Sequence, residues 1–151
     1  MSKRLISEKI EQELNNQMTR EADASQFYLS LGSWAEAQGY EGIAAFLYHH
    51  ANEERAHMMK LLEYINQRGG HCKIQALAAA PEDPKSLQEL FERALDQEIK
   101  NTSDINKIVD ICLADKDWAT FNFLQWFVKE QIEEETLTSK MVDKMKIIGE
   151  D

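Results

Sequence analysis

Glu54 and His57 lie three residues apart in the stretch EERAH (53–57), and at that spacing on a helix both side chains project to the same side. A carboxylate beside an imidazole suits iron or manganese. A lone pair of this kind arises often by chance, so its weight depends on its companions. Glu21, Glu98, Gln131 and Glu134 are such companions: each sits where the surrounding apolar period asks for a core residue. A buried carboxylate is costly, and several meeting in one core repel unless protons, hydrogen bonds or cations hold them together. A metal ion of charge two or three is the economical answer.

The elements that must position these residues follow from periodicity. One helical segment runs over residues 7–38 with the stripe Ile10, Leu14, Met18, Glu21, Ser25, Tyr28, Ala35, and Gly39 stops it. A second spans residues 40–68 with Ile43, Leu47, His50, Glu54, His57, Leu61, Tyr64, and ends at Gly69 and Gly70. A third begins after Pro84, where Ser86 and Glu89 read as a capping box with Glu89 reaching back to the Ser86 amide. Its stripe is Leu87, Phe91, Ala94, Glu98, Ile105, Val109, Cys112. The fourth starts near Asp115 or Asp117, either of which can cap it, and continues through Phe121, Leu124, Phe127, Val128, Gln131, Glu134, Thr138, Met141 and Met145 to Gly149.

Connection lengths predict the topology. Tight joints near Gly39 and over residues 114–117 make two antiparallel pairs. Residues 69–85, 17 in number, are too many for a hairpin. Extended at roughly 3.3 Å per residue they reach about 55 Å, whereas the second helix is only about 40 Å long at about 1.5 Å per residue. The expected fold is therefore all-α: one domain over residues 1–151, a four-helix bundle with one long crossover between the second and third helices.

Composition agrees. The chain has 151 residues, 43% of them hydrophobic, with 2 Pro and 6 Gly, which favours long helices over many short strands. A net charge of −10 argues against a nucleic-acid partner. Cys72 and Cys112 form no framework, so a reducing, cytoplasmic setting is expected, and both read as small apolar fillers. The N-terminus lacks the apolar run of a signal peptide, and no stretch reads as a membrane span.

Three stretches, NQMTREADASQFY (16–28), EERAH (53–57) and TFNFLQWFVKEQIEE (120–134), together resemble the ferritin family, and most closely the bacterial non-haem ferritins. The resemblance covers nearly the whole chain. It implies a non-haem di-iron ferroxidase centre in which Glu21, Glu54 and His57 hold a first iron. Glu54 bridges, and Glu98 with Glu134 holds a second. Gln131 matches a glutamine beside the dioxygen. A third iron position would use Glu53, Glu130, Glu133 and Glu134, and Tyr28 and Trp126 match aromatic residues that donate electrons. The implied partners are Fe(II), dioxygen or hydrogen peroxide, and further copies of the chain in a 24-subunit cage, with no nucleic acid and no membrane. Bacterioferritin has a second Glu-x-x-His where this chain reads Gln131-Ile132-Glu133-Glu134, and a haem-ligating Met where it has Arg55, so no haem is expected. The cysteine-rich module of rubrerythrin is missing. Family members usually carry a short fifth helix, whereas this chain stops at Asp151 without one. Phe121 and Leu124 stand where animal ferritins place channel acids, so the iron entry route does not carry over.

Blander readings stand beside these. His50 lies in its stripe but reads as structural, satisfied by hydrogen bonds or facing a subunit interface. Tyr28 suits a core tyrosine as well as a redox role, and residues 133–135 suit a solvated face. The whole chain also admits a cage-free di-iron oxidase or peroxide scavenger, or a metal-free helical module with buried hydrogen-bonded networks.

Overall fold

A computed structural model describes residues 3–149. Four α-helices account for most of them: α1 (Glu8–Ala37), α2 (Glu41–Gln67), α3 (Leu87–Ala114) and α4 (Trp118–Ile148). They form two compact units, one ending at Asp83 and the other beginning at Pro84.

In the first unit α1 packs along α2. Ser7 caps α1, its hydroxyl accepting from Ile10 N at 3.2 Å. The turn to α2 uses Gly39 at φ +90°, a backbone state that costs glycine little. The helices approach closely at Gly32, where a Cβ would press on the Tyr48 ring. The Ser25 hydroxyl donates to Ala51 O at 2.7 Å across the same seam. Ile10, Leu14, Leu31, Leu47, Leu61 and Ile65 are fully buried.

The connection that follows α2 is anchored at its start. Asn15 is buried; its amide nitrogen donates to His71 O at 2.9 Å and its oxygen accepts from Lys73 N at 2.7 Å. Glu11 accepts from His71 N at 2.7 Å and from Arg4 at 3.0 Å. The residues before α1 are held too, with Leu5 N donating to Arg68 O at 2.8 Å.

In the second unit α3 packs along α4. Ser86 caps α3 by accepting from Glu89 N at 3.1 Å, as expected. The other half of the capping box is different: Glu89 accepts from the Lys85 amide, one residue earlier than the Ser86 amide anticipated. Asp117, not Asp115, caps α4, accepting from Thr120 N at 3.0 Å and from the Thr120 hydroxyl at 2.7 Å. Phe91, Ile105, Leu124 and Phe127 are buried, and Ile108 takes the buried place expected of Val109.

Candidate metal centre

Glu21 comes from the middle of α1 and Glu54 and His57 from successive turns of α2, all with almost no exposure. His57 Nδ1 lies 3.2 Å from Glu54 Oε2 and 3.8 Å from Glu21 Oε2. One donor atom from each of the three lies within 4.8 Å of the others. Donors at about 2.1 Å from one ion stand about 3–4 Å apart, so the set fits a single divalent cation. Two carboxylates and one imidazole are the donors such a cation takes.

Without an ion, protons hold the cluster together. Burial, then the Glu54 charge, pushes Glu21 up to about 8. Burial opposes the charge on His57, but the neighbouring Glu21 and Glu54 carboxylates outweigh it and raise His57 to about 10. Burial likewise works against ionised Glu54, yet hydrogen bonds from His50, His57 and Glu21 hold it below the usual carboxylate range. One carboxylate thus stays ionised, its neighbour keeps its proton and the imidazole is charged, which removes most of the repulsion.

Two further residues join this side of the site. His50 is buried, with Nε2 3.4 Å from Glu54 Oε1 and its ring against Tyr28 at 4.1 Å between centroids. His50, read from the sequence as structural, thus stands directly against Glu54. Gln17, also buried, donates to Glu21 Oε1 at 3.1 Å. The sequence reading missed Gln17. Its signal was a polar residue one turn before Glu21.

In the second unit Glu98 on α3 and Gln131 and Glu134 on α4 are buried. The Gln131 amide nitrogen donates to Glu98 O at 3.2 Å and to the Thr102 hydroxyl at 3.1 Å. Thr102 in turn donates to Glu98 O at 3.0 Å and to Glu135 at 3.2 Å. Thr102 therefore links Gln131 and Glu135 to the Glu98 backbone, and no stripe marked it. Glu135 is half-buried instead of lying on the surface as expected. Glu130 is half-buried and Glu133 exposed. In the first unit Glu53 is half-buried, with its carboxylate 3.2 Å from His49 Nε2. Trp126 is partly exposed and meets the Phe127 ring edge-on at 5.0 Å.

These features define a helical protein with a buried carboxylate–imidazole cluster. A sequence profile of the Ferritin-like domain matches residues 11–148. A probable bacterial non-heme ferritin-like protein of Haemophilus influenzae is 44% identical over 97% of this chain and 89% of its own length. The bacterial non-heme ferritin of Campylobacter jejuni is 41% identical over 97% and 87%. Among solved structures, an open-pore ferritin of the archaeon Archaeoglobus fulgidus superposes with a TM-score of 0.95 at 36% identity, over 97% of this chain and 90% of that one. A Chlorobium tepidum ferritin does so at 0.92 and 46%, over 95% and 87%. The chain belongs to the ferritin family, and its fold is the all-α, ferritin-like bundle expected from the sequence.

Proposed function

We propose that this chain stores iron and oxidises it on the way in, as a ferroxidase. The observation that carries the reading is the buried set Glu21, Glu54 and His57, whose donor atoms are spaced for one divalent cation and whose charges are otherwise balanced only by protons. Family membership supplies the metal: the curated relatives are non-heme ferritins.

In this reading Fe(II) is the substrate. Glu21, Glu54 and His57 take the first ion. By the resemblance, Glu54 bridges to a second ion held with Glu98 and Glu134, and Glu53, Glu130 and Glu133 serve a third with Glu134. Each Fe(II) gives one electron to dioxygen or peroxide, and carboxylate oxygens favour the ferric product. By the resemblance Gln131 lies beside the oxidant, and its amide N–H groups are held by the Glu98 backbone carbonyl and the Thr102 hydroxyl. Tyr28 and Trp126 supply further electrons. The ferric product mineralises inside an assembly of about 24 copies, following the family pattern, in the cytoplasm. Among the described residues no helix is long and apolar enough to cross a membrane.

Stopped-flow oxidation of Fe(II) tests the site. Glu54→Ala and His57→Ala should lose the fast phase while keeping the helical spectrum, and fast oxidation in both would overturn the assignment. Native mass separates the storage reading from a cage-free oxidase. A particle of about 24 subunits that takes up iron is expected, and a stable dimer would rule storage out.

A further inference from the structure

Gln17 and Arg20 lie beside the proposed iron site, on the side of Glu21 away from His57. Gln17 is fully buried and precedes Glu21 by one helical turn on α1. Its amide nitrogen donates to Glu21 Oε1 at 3.1 Å, and its own oxygen accepts from Arg20 Nε at 2.9 Å. Which end of a glutamine amide points where has to be read from its partners, and here they leave one answer. An arginine Nε carries a hydrogen and no lone pair, so only the amide oxygen can face it. The NH2 group is then directed at the Glu21 carboxylate. A flipped amide would set donor against donor at half-buried Arg20 and oxygen against oxygen at the buried Glu21, where such mismatches are costly.

The consequence lies at the other oxygen. With Oε1 held by Gln17, Glu21 turns Oε2 toward His57 Nδ1, 3.8 Å away. We propose that Gln17, locked by Arg20, is a positioning residue for the iron site: it occupies one oxygen of Glu21 and presents the other to the ion shared with His57, so that Glu21 binds through a single oxygen. Without this hold the carboxylate is free to rotate and grip the ion through both oxygens. The inference rests on the reading that Glu21 and His57 bind Fe(II). Outer partners of this kind typically change metal affinity by about 10–100-fold. A merely structural Gln17 would instead contribute to stability and leave the geometry at the ion unchanged.

Anaerobic Co(II) titration of the full chain distinguishes the two, because the visible bands of Co(II) report coordination number and geometry. Gln17→Met keeps the length of the side chain and removes the amide. It should bind Co(II) at the first site about 10-fold or more weakly and shift the visible band. Arg20→Met leaves the amide in place but unlocked and should shift the band in the same direction by less. Circular dichroism checks that each variant is folded. A folded Gln17→Met with wild-type affinity and band overturns the proposal. Should Gln17→Met not fold, Arg20→Met decides alone, and a wild-type band there overturns it. A shift in Gln17→Met with none in Arg20→Met likewise overturns the proposed lock. Failure of the underlying reading looks different: His57→Ala would then bind Co(II) as well as the wild type does.

Discussion

At the scale of single residues, the cluster on α1 and α2 is a set of interacting, buried ionisable groups. Glu21 is raised to about 8 by burial and by Glu54, and His57 is raised to about 10 against burial by its two carboxylate partners. At pH 7 both carry protons in the metal-free chain, while Glu54 is ionised. An ion that takes Glu21 and His57 as ligands must displace those protons. Anaerobic loading of one divalent ion at pH 7 should therefore release about two protons per chain, and affinity should rise with pH. A pH-indicator dye in weak buffer measures this, and metal binding without proton release would count against these ligands. Glu54 and His57 were legible from their spacing, and Glu21 and Glu98 from carboxylates standing in apolar stripes. Gln17 and Thr102 were not. An amide or hydroxyl one turn from a ligand looks like any other polar residue until its hydrogen bonds are seen.

At the scale of elements, the start of α3 was legible because capping chemistry is local, whereas the start of α4 stayed open between Asp115 and Asp117 and α2 follows Tyr40 without a side-chain cap. Ser7, Ser86 and Asp117 each accept from a backbone amide three residues on. Ser86→Ala should cost about 1 kcal/mol in chemical denaturation, with Fe(II) oxidation unchanged. The capping-box rule names the N-cap amide, that of Ser86, and Glu89 departs from it by accepting from the Lys85 amide one residue earlier. The anchoring of the long connection was also hidden. Asn15 falls beside the apolar stripe of α1, and nothing local says that its amide pairs with the backbone of residues 71 and 73, some sixty positions away. Asn15→Leu would leave His71 O and Lys73 N without that partner, at about 1–3 kcal/mol. Hydrogen exchange should rise at residue 73, and protease cutting should increase within the connection, while the Glu21, Glu54 and His57 geometry persists. Unchanged exchange there would show that Glu11 alone holds the segment. Gly69 sets a second limit: its φ of +76° and the Lys3 carbonyl against its face make Gly69→Ala destabilising by more than the capping loss.

At the scale of the whole molecule, the −10 charge divides into parts with opposite consequences. Surface acids repel one another, and their effect is screened by salt. The buried groups act through their protons, out of reach of salt. Glu21 and His57 hold protons more tightly folded than unfolded, so their contribution is complete at low pH and is lost as pH rises, between 4.5 and about 8 for Glu21 and between 6.5 and about 10 for His57. Glu54 has the opposite sign: its contribution is present above 4.5 and fades as acid protonates it. The metal-free chain should thus be most stable near pH 4.5–5, and its melting temperature should fall steadily from there to pH 9. Surface repulsion alone predicts a similar fall, since the chain only becomes more negative. The two separate in high salt, where the surface part shrinks and the buried part survives. Glu21→Gln removes a titrating carboxyl and its charge beside His57, so it should flatten the curve between pH 5 and 8 in either salt condition. A fall that disappears in salt and is untouched by Glu21→Gln would mean that the buried cluster does not govern the pH response. Zinc at saturation offers the complementary check: with the protons already displaced, the bound chain should melt higher at pH 8 than at pH 6, reversing the trend of the metal-free protein.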